Sequence, residues 1–129
     1  MSQAHALVID DNIKNVNVLA RLLSEQAVSS TQVTNPKLLD AILHTVGKVD
    51  VVFVDLEMPG LNGFDVLEKL RSDAQFEDVP IVAYTVHVSE MNAAHQHGFD
   101  SFVGKPVDPD RFPGQLARIL RGEPVWESI

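Results

Sequence analysis

Five side chains that could take part in phosphoryl chemistry each follow a short apolar run of the sequence. They are three carboxylates, one hydroxyl and one ammonium: Asp10, Asp11, Asp55, Thr85 and Lys105. Converging carboxylates repel each other, so that one of them takes up a proton or a cation compensates the charge. A hard divalent cation suits oxygen ligands, and Mg²⁺ fits best because it needs only one or two protein carboxylates, with Mn²⁺ as the alternative. With a lysine ammonium added, the set predicts phosphoryl transfer to a carboxylate nucleophile, for which Asp55 is the best candidate.

The apolar runs before these residues have the character of buried strands, and helical patterns separate them. The sequence predicts strands at 6–9, 29–33, 51–54, 81–84 and 101–103. It predicts helices near 13–26 and 36–46, a third after the turn-rich loop at 59–63 with Val66, Leu67 and Leu70 inward, and two more near 89–98 and 110–121. Strands that are apolar on both faces and alternate with helices indicate an α/β protein with a parallel sheet covered on both sides. Ser89 is the expected N-cap of the fourth helix, Gly98 its end, and Pro113 a residue in the first turn of the last helix.

The predicted sheet explains how residues so distant in sequence would meet. Ligands of open α/β sheets bind beyond the carboxyl ends of the strands, where the strand order reverses. A doubly wound order 2-1-3-4-5 makes strands one and three neighbours and brings Asp10, Asp11 and Asp55 into one crevice. One sequence does not fix this order by itself, and the shared site is what favours it.

The composition bounds the classes of function. The chain has 129 residues, a formal charge of −8 and no cysteine. This length fits one domain, with a core over about 4–121 and a short tail at 122–129. The acidic charge argues against direct binding of nucleic acid, the absence of cysteine excludes thiol chemistry, and no apolar run is long enough to insert into a membrane. We therefore expect a cytoplasmic protein.

Four segments of the sequence together resemble the receiver domain of two-component response regulators. They are Val8-Ile9-Asp10-Asp11-Asn12, Val54-Asp55-Leu56-Glu57-Met58-Pro59-Gly60-Leu61-Asn62-Gly63, Val82-Ala83-Tyr84-Thr85 and Phe102-Val103-Gly104-Lys105-Pro106. Each segment alone is weak evidence, whereas four in order, each at a strand end, are strong. The resemblance implies a flavodoxin-like fold with five helices and a bacterial-type, stand-alone switch that is not an enzyme in its own right.

The resemblance also implies the metal ligands. Asp55 is the expected phosphoacceptor, and Asp11, Asp55 and the backbone carbonyl of Glu57 are the expected Mg²⁺ ligands, with Asp10 acting mainly through water. The expected phosphoryl donor is a histidine kinase or a histidine phosphotransfer protein.

The same resemblance implies a route for the signal. Lys105 would pair with a phosphate oxygen, Thr85 would shift toward the site, and Phe102 would follow by turning inward. This motion would remodel the face made by helix four, strand five and helix five, for a downstream protein target or for onward relay of the phosphate. The Lys105–Pro106 bond would be cis.

Three positions differ from the commonest receiver pattern. Glu57 is bulkier and more acidic than the usual Asn, Val86 stands where a small residue is common, and His87 lies two residues after Thr85. These residues are expected to tune the rates of phosphorylation and phosphate loss without changing the chemistry.

Two other functions remain open from the sequence. One is a Mg²⁺-dependent phosphatase with an aspartyl-phosphate intermediate, for which Glu57 is a poor acid–base replacement of the usual second Asp. The other is a receiver-like interaction module that is never phosphorylated. His95 and His97, two residues apart, do not share a helix face and are interpreted as solvated surface. Trp126 is interpreted as part of a packed or disordered tail.

Overall fold

Parallel strands form the central sheet of the computed structural model, which describes residues 3–127. Within that range the sheet has six strands: β1 (Ala4–Ile9), β2 (Val28–Val33), β3 (Val51–Asp55), β4 (Ile81–Thr85), β5 (Ser101–Gly104) and β6 (Trp126–Glu127). Their order is β2-β1-β3-β4-β5-β6. The five predicted strands and the order 2-1-3-4-5 are confirmed. The short strand β6 adds to the edge of β5 and lies in the segment that the sequence interpretation treated as a tail.

Five helices connect the strands and cover both faces of the sheet. They are α1 (Ile13–Glu25), α2 (Leu39–Thr45), α3 (Gly63–Arg71), α4 (Met91–His97) and α5 (Phe112–Leu120). Short 3₁₀ turns at Pro36–Leu38, Ala74–Phe76 and Val88–Glu90 accompany them. A hairpin of Glu57–Met58 with Leu61–Asn62 joins β3 to α3. The expectation of five helices is confirmed.

The helix ends show where local signals predicted the structure and where they did not. Gly98 ends α4 in the left-handed conformation with φ of 104°, as expected for a C-cap glycine. Pro113 lies in the first turn of α5, where its missing N–H costs little. The prediction that Ser89 caps α4 is wrong, because the chain first makes the 3₁₀ turn Val88–Glu90 and α4 begins only at Met91. Ser89 therefore lies inside the turn instead of before the helix.

The hydrophobic core consists of two layers, one on each face of the sheet. Strand β1 shows the alternation: Leu7 and Ile9 pack toward α2, α3 and α4, while Ala6 and Val8 pack toward α1 and α5. All four side chains are fully buried, and a large apolar side chain contributes about 1.5–3 kcal/mol when it leaves water. This double burial makes the sheet a rigid base for the loops at its carboxyl edge. No helix of the described part of the chain has the length and apolar character that crossing a bilayer requires.

Candidate functional site

Three carboxylates meet at the carboxyl edge of the sheet. Strands β1 and β3 are parallel neighbours with Ile9 opposite Val54, so Asp10 and Asp55 come at the same level of the sheet. Asp11 follows in the loop, and one oxygen of each of Asp10, Asp11 and Asp55 lies within 4.8 Å of the others. The convergence expected from the strand order is therefore present in the structure.

A buried lysine from the end of β5 joins this cluster. The Nζ atom of Lys105 lies 2.7 Å from Oδ2 of Asp10 and 3.5 Å from Oδ2 of Asp55. The side chains of Lys105 and Asp55 are only 6% and 7% exposed, and that of Asp10 is fully buried. The Lys105–Pro106 peptide bond is cis, as expected. The ammonium thus bridges two of the carboxylates in a site that is largely shielded from water.

The aromatic ring of Tyr84 supports this lysine. Lys105 Nζ lies 4.5 Å from the centre of the Tyr84 ring, a cation–π geometry. Burial, with the negative charges of Asp10 and Asp55 as lesser causes, raises the pKa of the Tyr84 hydroxyl above its usual range, so the ring stays neutral. The sequence interpretation treated Tyr84 as a strand residue only, because the aromatic contact depends on how neighbouring strands pair.

Asp55 is held in an environment that disfavours its charge. Burial, above all, raises the pKa of Asp55 from 3.8 to about 6, and the nearby charge of Asp10 acts in the same direction. The N–H of Glu57, which donates to Oδ1 of Asp55 at 3.1 Å, and the ammonium of Lys105 lower the pKa in part. Three carboxylates share one ammonium, and this excess of negative charge on oxygen ligands fits a divalent cation such as Mg²⁺.

Close backbone packing fixes the position of Asp55. A Cβ atom on Gly63, the first residue of α3, would lie 2.6 Å from the carbonyl oxygen of Asp55 and 2.7 Å from Cα of Leu56. Only glycine fits at that position. Asn62 caps the same helix by accepting a hydrogen bond from the N–H of Phe64 at 2.8 Å. The Asn-Gly pair indicated a turn in the sequence, but the contact between Gly63 and the backbone of Asp55 had no sequence signal.

Thr85 and Phe102 occupy buried positions on two neighbouring strands, β4 and β5. Thr85, at the end of β4, is 1% exposed, and its Oγ1 accepts a hydrogen bond from the N–H of His87 at 3.2 Å. The N–H of Lys105 donates to the carbonyl oxygen of Thr85 at 2.9 Å. The side chain of Phe102 is fully buried in the core layer beside α4. Its predicted inward turn therefore starts from a side chain that already has no exposed surface, and it stays a prediction.

A contact between a histidine and a glutamate spans two loops at the mouth of the site. Nε2 of His87 lies 2.8 Å from Oε2 of Glu57, and both side chains are about half exposed, 49% and 51%. Val86, between Thr85 and His87, is 58% exposed. The sequence singled out the three residues separately, and their pairing could have been found because Glu57 and His87 each lie two positions after a strand-end residue of neighbouring strands.

The two other histidines of this region lie on the exposed surface of α4. His95 contacts Trp126 edge-on with ring centres 4.7 Å apart, and His97 packs at a tilt against Phe64 at 4.5 Å. The interpretation as solvated surface therefore misses their aromatic contacts. Among the described residues, the three aspartates of the cluster form the sole group of metal-ligating side chains close enough to share an ion.

The fold and the site together define the class of protein. The sheet order β2-β1-β3-β4-β5, with helices on both faces and acidic residues at the switch point, is the flavodoxin-like doubly wound arrangement. The chemotaxis response regulator CheY4 of Vibrio cholerae shares this fold with a TM-score of 0.81 and 22% sequence identity, over 92% of this chain and 99% of that one.

The sequence family is that of a signalling domain. The family model of the response regulator receiver domain matches residues 6–117, and the chain belongs to that family. It is 35% identical over 106 residues to stress response regulator protein 1 of Candida dubliniensis, covering 79% of this chain and 37% of that protein. It is 28% identical over 120 residues to the two-component response regulator ORR3 of rice (Oryza sativa subsp. indica), covering 92% of both. These two relatives come from a yeast and a plant, so the expectation that the protein is of a bacterial type stays a prediction.

Proposed function

We propose that this receiver domain accepts a phosphoryl group on Asp55 and, in that state, presents a changed surface to a protein partner. The observation that carries the proposal is the buried Lys105 ammonium placed between Asp10 and Asp55, 2.7 and 3.5 Å from their oxygens, beside a third carboxylate. A purely structural ion pair seldom has further carboxylates within 4.8 Å of one another beside it, as Asp10, Asp11 and Asp55 are here, because uncompensated charge is costly when buried. A phosphoryl-transfer site needs this arrangement of a nucleophile next to cationic groups.

Mg²⁺, with Mn²⁺ as the alternative, fits the residues of the site. Asp11 and Asp55 would be its direct protein ligands together with the backbone carbonyl of Glu57, and Asp10 would act mainly through water. When bound, the cation supplies positive charge that screens the carboxylates from one another and offsets the negative charge of the transferring group. The closeness of the three carboxylates supports this assignment, because like charges within 4.8 Å of one another need such compensation.

The chain's own residues then carry the transfer. A carboxylate oxygen of Asp55 attacks the phosphorus of a phosphohistidine on the donor protein, the O–P bond forms, and the N–P bond breaks with its electron pair going to the imidazole. Lys105 is placed to pair with an oxygen of the transferred group, and the Thr85 hydroxyl, buried at the end of the neighbouring strand, is placed to donate to another. The domain takes part in its own phosphorylation and dephosphorylation without being a turnover enzyme.

The surface around the site suits a protein donor. Ile13, the first residue of α1, and Val86, in the loop after β4, are exposed apolar side chains, 63% and 58%, at the same edge of the sheet as the carboxylates. A histidine kinase or a phosphotransfer protein of the cytoplasm is the proposed donor. Thr85 and Phe102 are the proposed switch residues, and the face of α4, β5 and α5 is the proposed output, either to a downstream protein or to a relay.

The loop residues at the mouth are proposed to set the lifetime of the phosphorylated state. The contact of Glu57 with His87 and the exposed side chain of Val86 lie where water would approach an acyl phosphate on Asp55. They therefore act on rates and leave the identity of the acceptor unchanged.

Intact mass spectrometry tests the proposal. The protein is incubated with acetyl phosphate, and in a second arm with phosphoramidate, which has a P–N bond, with either Mg²⁺ or EDTA present. We expect one added phosphate in Mg²⁺ and none in EDTA, and none for Asp55→Asn. Asp78→Asn, an exposed acidic residue before β4 at the other end of the sheet, is the matched control and should be phosphorylated normally.

Two results would point to other functions. Absence of any adduct in the wild type would favour an interaction module that is never phosphorylated. Sustained release of phenol from a simple aryl phosphate would favour a phosphatase.

A further inference from the structure

The segment before and within β6 is bound along the outer edge of β5 as an added parallel strand. The N–H of Phe102 donates to the carbonyl oxygen of Val125 at 2.7 Å, and the N–H of Val125 donates to Oγ of Ser101 at 2.9 Å. Trp126 lies opposite Phe102 in the register of the two strands. Addition of a strand to an open sheet edge is a general way in which proteins bind extended peptides.

Two side chains anchor this segment on opposite faces of the sheet. Val125 is 1% exposed and belongs to the core layer beneath α1 and α5. Trp126 is half-buried and packs on the other layer, which contains Phe102, with its ring edge-on to His95 of α4. The indole therefore covers the groove between α4 and β5, which is part of the proposed output face.

The attachment is short and is joined to α5 by an exposed connection. Strand β6 has two residues, and Gly122, Glu123 and Pro124, which connect α5 to the buried Val125, are exposed. Gly122 takes a positive φ of 84°, and proline offers no N–H to a neighbouring strand. Two apolar anchors and a few hydrogen bonds hold the segment, so a competing peptide with a similar apolar–aromatic pair faces a modest barrier to replacing it.

Strand β5 connects this edge to the acidic site. The N–H of Lys105, the residue after β5, donates to Thr85 at 2.9 Å, and the ammonium of Lys105 contacts Asp55. Phe102, which lies within β5 three positions before Lys105, donates to the carbonyl oxygen of Val125. Movement of Thr85 and Lys105 toward a phosphoryl group would therefore displace the strand to which the segment is attached.

We infer that the outer edge of β5 is a docking groove for an extended apolar–aromatic peptide, which residues 124–127 fill in the unphosphorylated protein and leave when Asp55 is phosphorylated. The partner it fits is a protein that presents an extended segment with a β-branched residue followed by an aromatic one. The release rests on the proposed function, whereas the filling of the groove in the resting protein does not.

Trp126 is the one tryptophan of the chain, and its fluorescence reports on the groove directly. Acrylamide quenching is measured on the full chain in Mg²⁺ with and without acetyl phosphate, while intact mass gives the phosphorylated fraction. We expect quenching to rise about twofold in proportion to that fraction and the emission to shift to the red, because a half-buried indole becomes exposed to water. Asp55→Asn should show neither change. A phosphate adduct with unchanged quenching would overturn the release and leave the proposed function standing, whereas no adduct would overturn the proposed function and the release together.

A peptide experiment tests the groove independently of phosphorylation. The probe is a synthetic peptide with the sequence of residues 121–127, and its own tryptophan reports binding to the full-length Trp126→Ala protein. The wild-type chain has its own tryptophan, so a dye-labelled copy of the same peptide is used to compare the affinities of the wild type and the variant. We expect the variant to bind the labelled peptide about tenfold more tightly, since loss of an aromatic anchor opens the groove. Val125→Asp, checked for folding by circular dichroism, is the second variant, and equal binding by the wild type and both folded variants would overturn the groove.

Discussion

Neutralising the phosphoacceptor should stabilise the metal-free protein, although it removes the residue on which signalling depends. The substitution is Asp55→Asn, which keeps the size and shape of the side chain and removes its charge. Lys105 keeps a close partner in the variant, because its ammonium is 2.7 Å from Asp10. The cluster then keeps two carboxylates, Asp10 and the partly buried Asp11, beside one ammonium.

The pKa of Asp55 sets the magnitude and the pH range of this effect. Burial raises that pKa from 3.8 to about 6, and a difference of this size corresponds to about 3 kcal/mol as a ceiling. Relaxation of the surrounding groups around the charged carboxylate of the wild type reduces the expected gain to about 1–2 kcal/mol. The folded state holds the proton of Asp55 more tightly than the unfolded chain does. The free energy of unfolding of the wild type is therefore not reduced by this carboxyl below pH about 4, and it falls as the pH rises from about 4 to 6. Above pH about 6 the reduction is complete.

Urea unfolding of both proteins in EDTA, at a series of pH values from 4 to 8, measures the effect. The free energy of unfolding of Asp55→Asn should exceed that of the wild type above pH about 6, and the two should converge near pH 4. Added Mg²⁺ should stabilise the wild type more than the variant, since a ligand that binds only the folded state adds to its stability. Asp78→Asn should match the wild type within about 0.5 kcal/mol. A variant that is less stable than the wild type at pH 7.5 without metal, or a difference that does not depend on pH, would refute the reasoning.

Three further substitutions probe the surroundings of the acceptor. Glu57→Asn removes the contact with His87 at the mouth and should speed loss of phosphate by up to about tenfold, a barrier change of about 1.4 kcal/mol. His87→Ala should act in the same direction. Rates of phosphate release equal to the wild type in both variants would show that this contact does not slow hydrolysis. Gly63→Ala places a methyl group 2.6 Å from the acceptor's carbonyl oxygen and should cost about 1–3 kcal/mol in urea unfolding, whereas Gly114→Ala in α5, with nothing within 4 Å, should be neutral or stabilising. Tyr84→Leu removes the ring beneath the lysine and should slow phosphorylation by acetyl phosphate, while Tyr84→Phe should keep the wild-type rate. Equal phosphorylation rates for the Leu and Phe variants would show that the aromatic ring does not contribute.

Local patterns predicted the sheet and the acidic cluster because the two are linked by geometry. An apolar run that ends in a polar residue marks a strand end, and parallel strands end at the same edge. Asp10, Asp55 and Lys105 could therefore be placed near one another before any contact was known. The strand order needed more than the runs themselves, and it became predictable only because one order brings the carboxylates together.

The features that sequence patterns missed depend on packing between distant segments. The pairing of Glu57 with His87 requires the loops after β3 and β4 to be adjacent, and the requirement for glycine at position 63 comes from the backbone of Asp55. Trp126 lies in a short segment without apolar periodicity, so the local sequence pattern does not distinguish a tail from a strand. Its position follows from the free edge of β5, which is available only once the rest of the sheet has formed.

That free edge is the reason to connect the acidic site with the last strand. An exposed edge strand offers unpaired backbone groups to other chains, and proteins commonly cover it. Here the covering strand belongs to the same chain, and the hydrogen bond it receives comes from Phe102, a proposed switch residue. Covering the edge thus protects the resting protein from unspecific pairing, whereas uncovering it on phosphorylation would create a binding site without new structure. Chemistry at one end of β5 and recognition along its side would then depend on the position of a single strand.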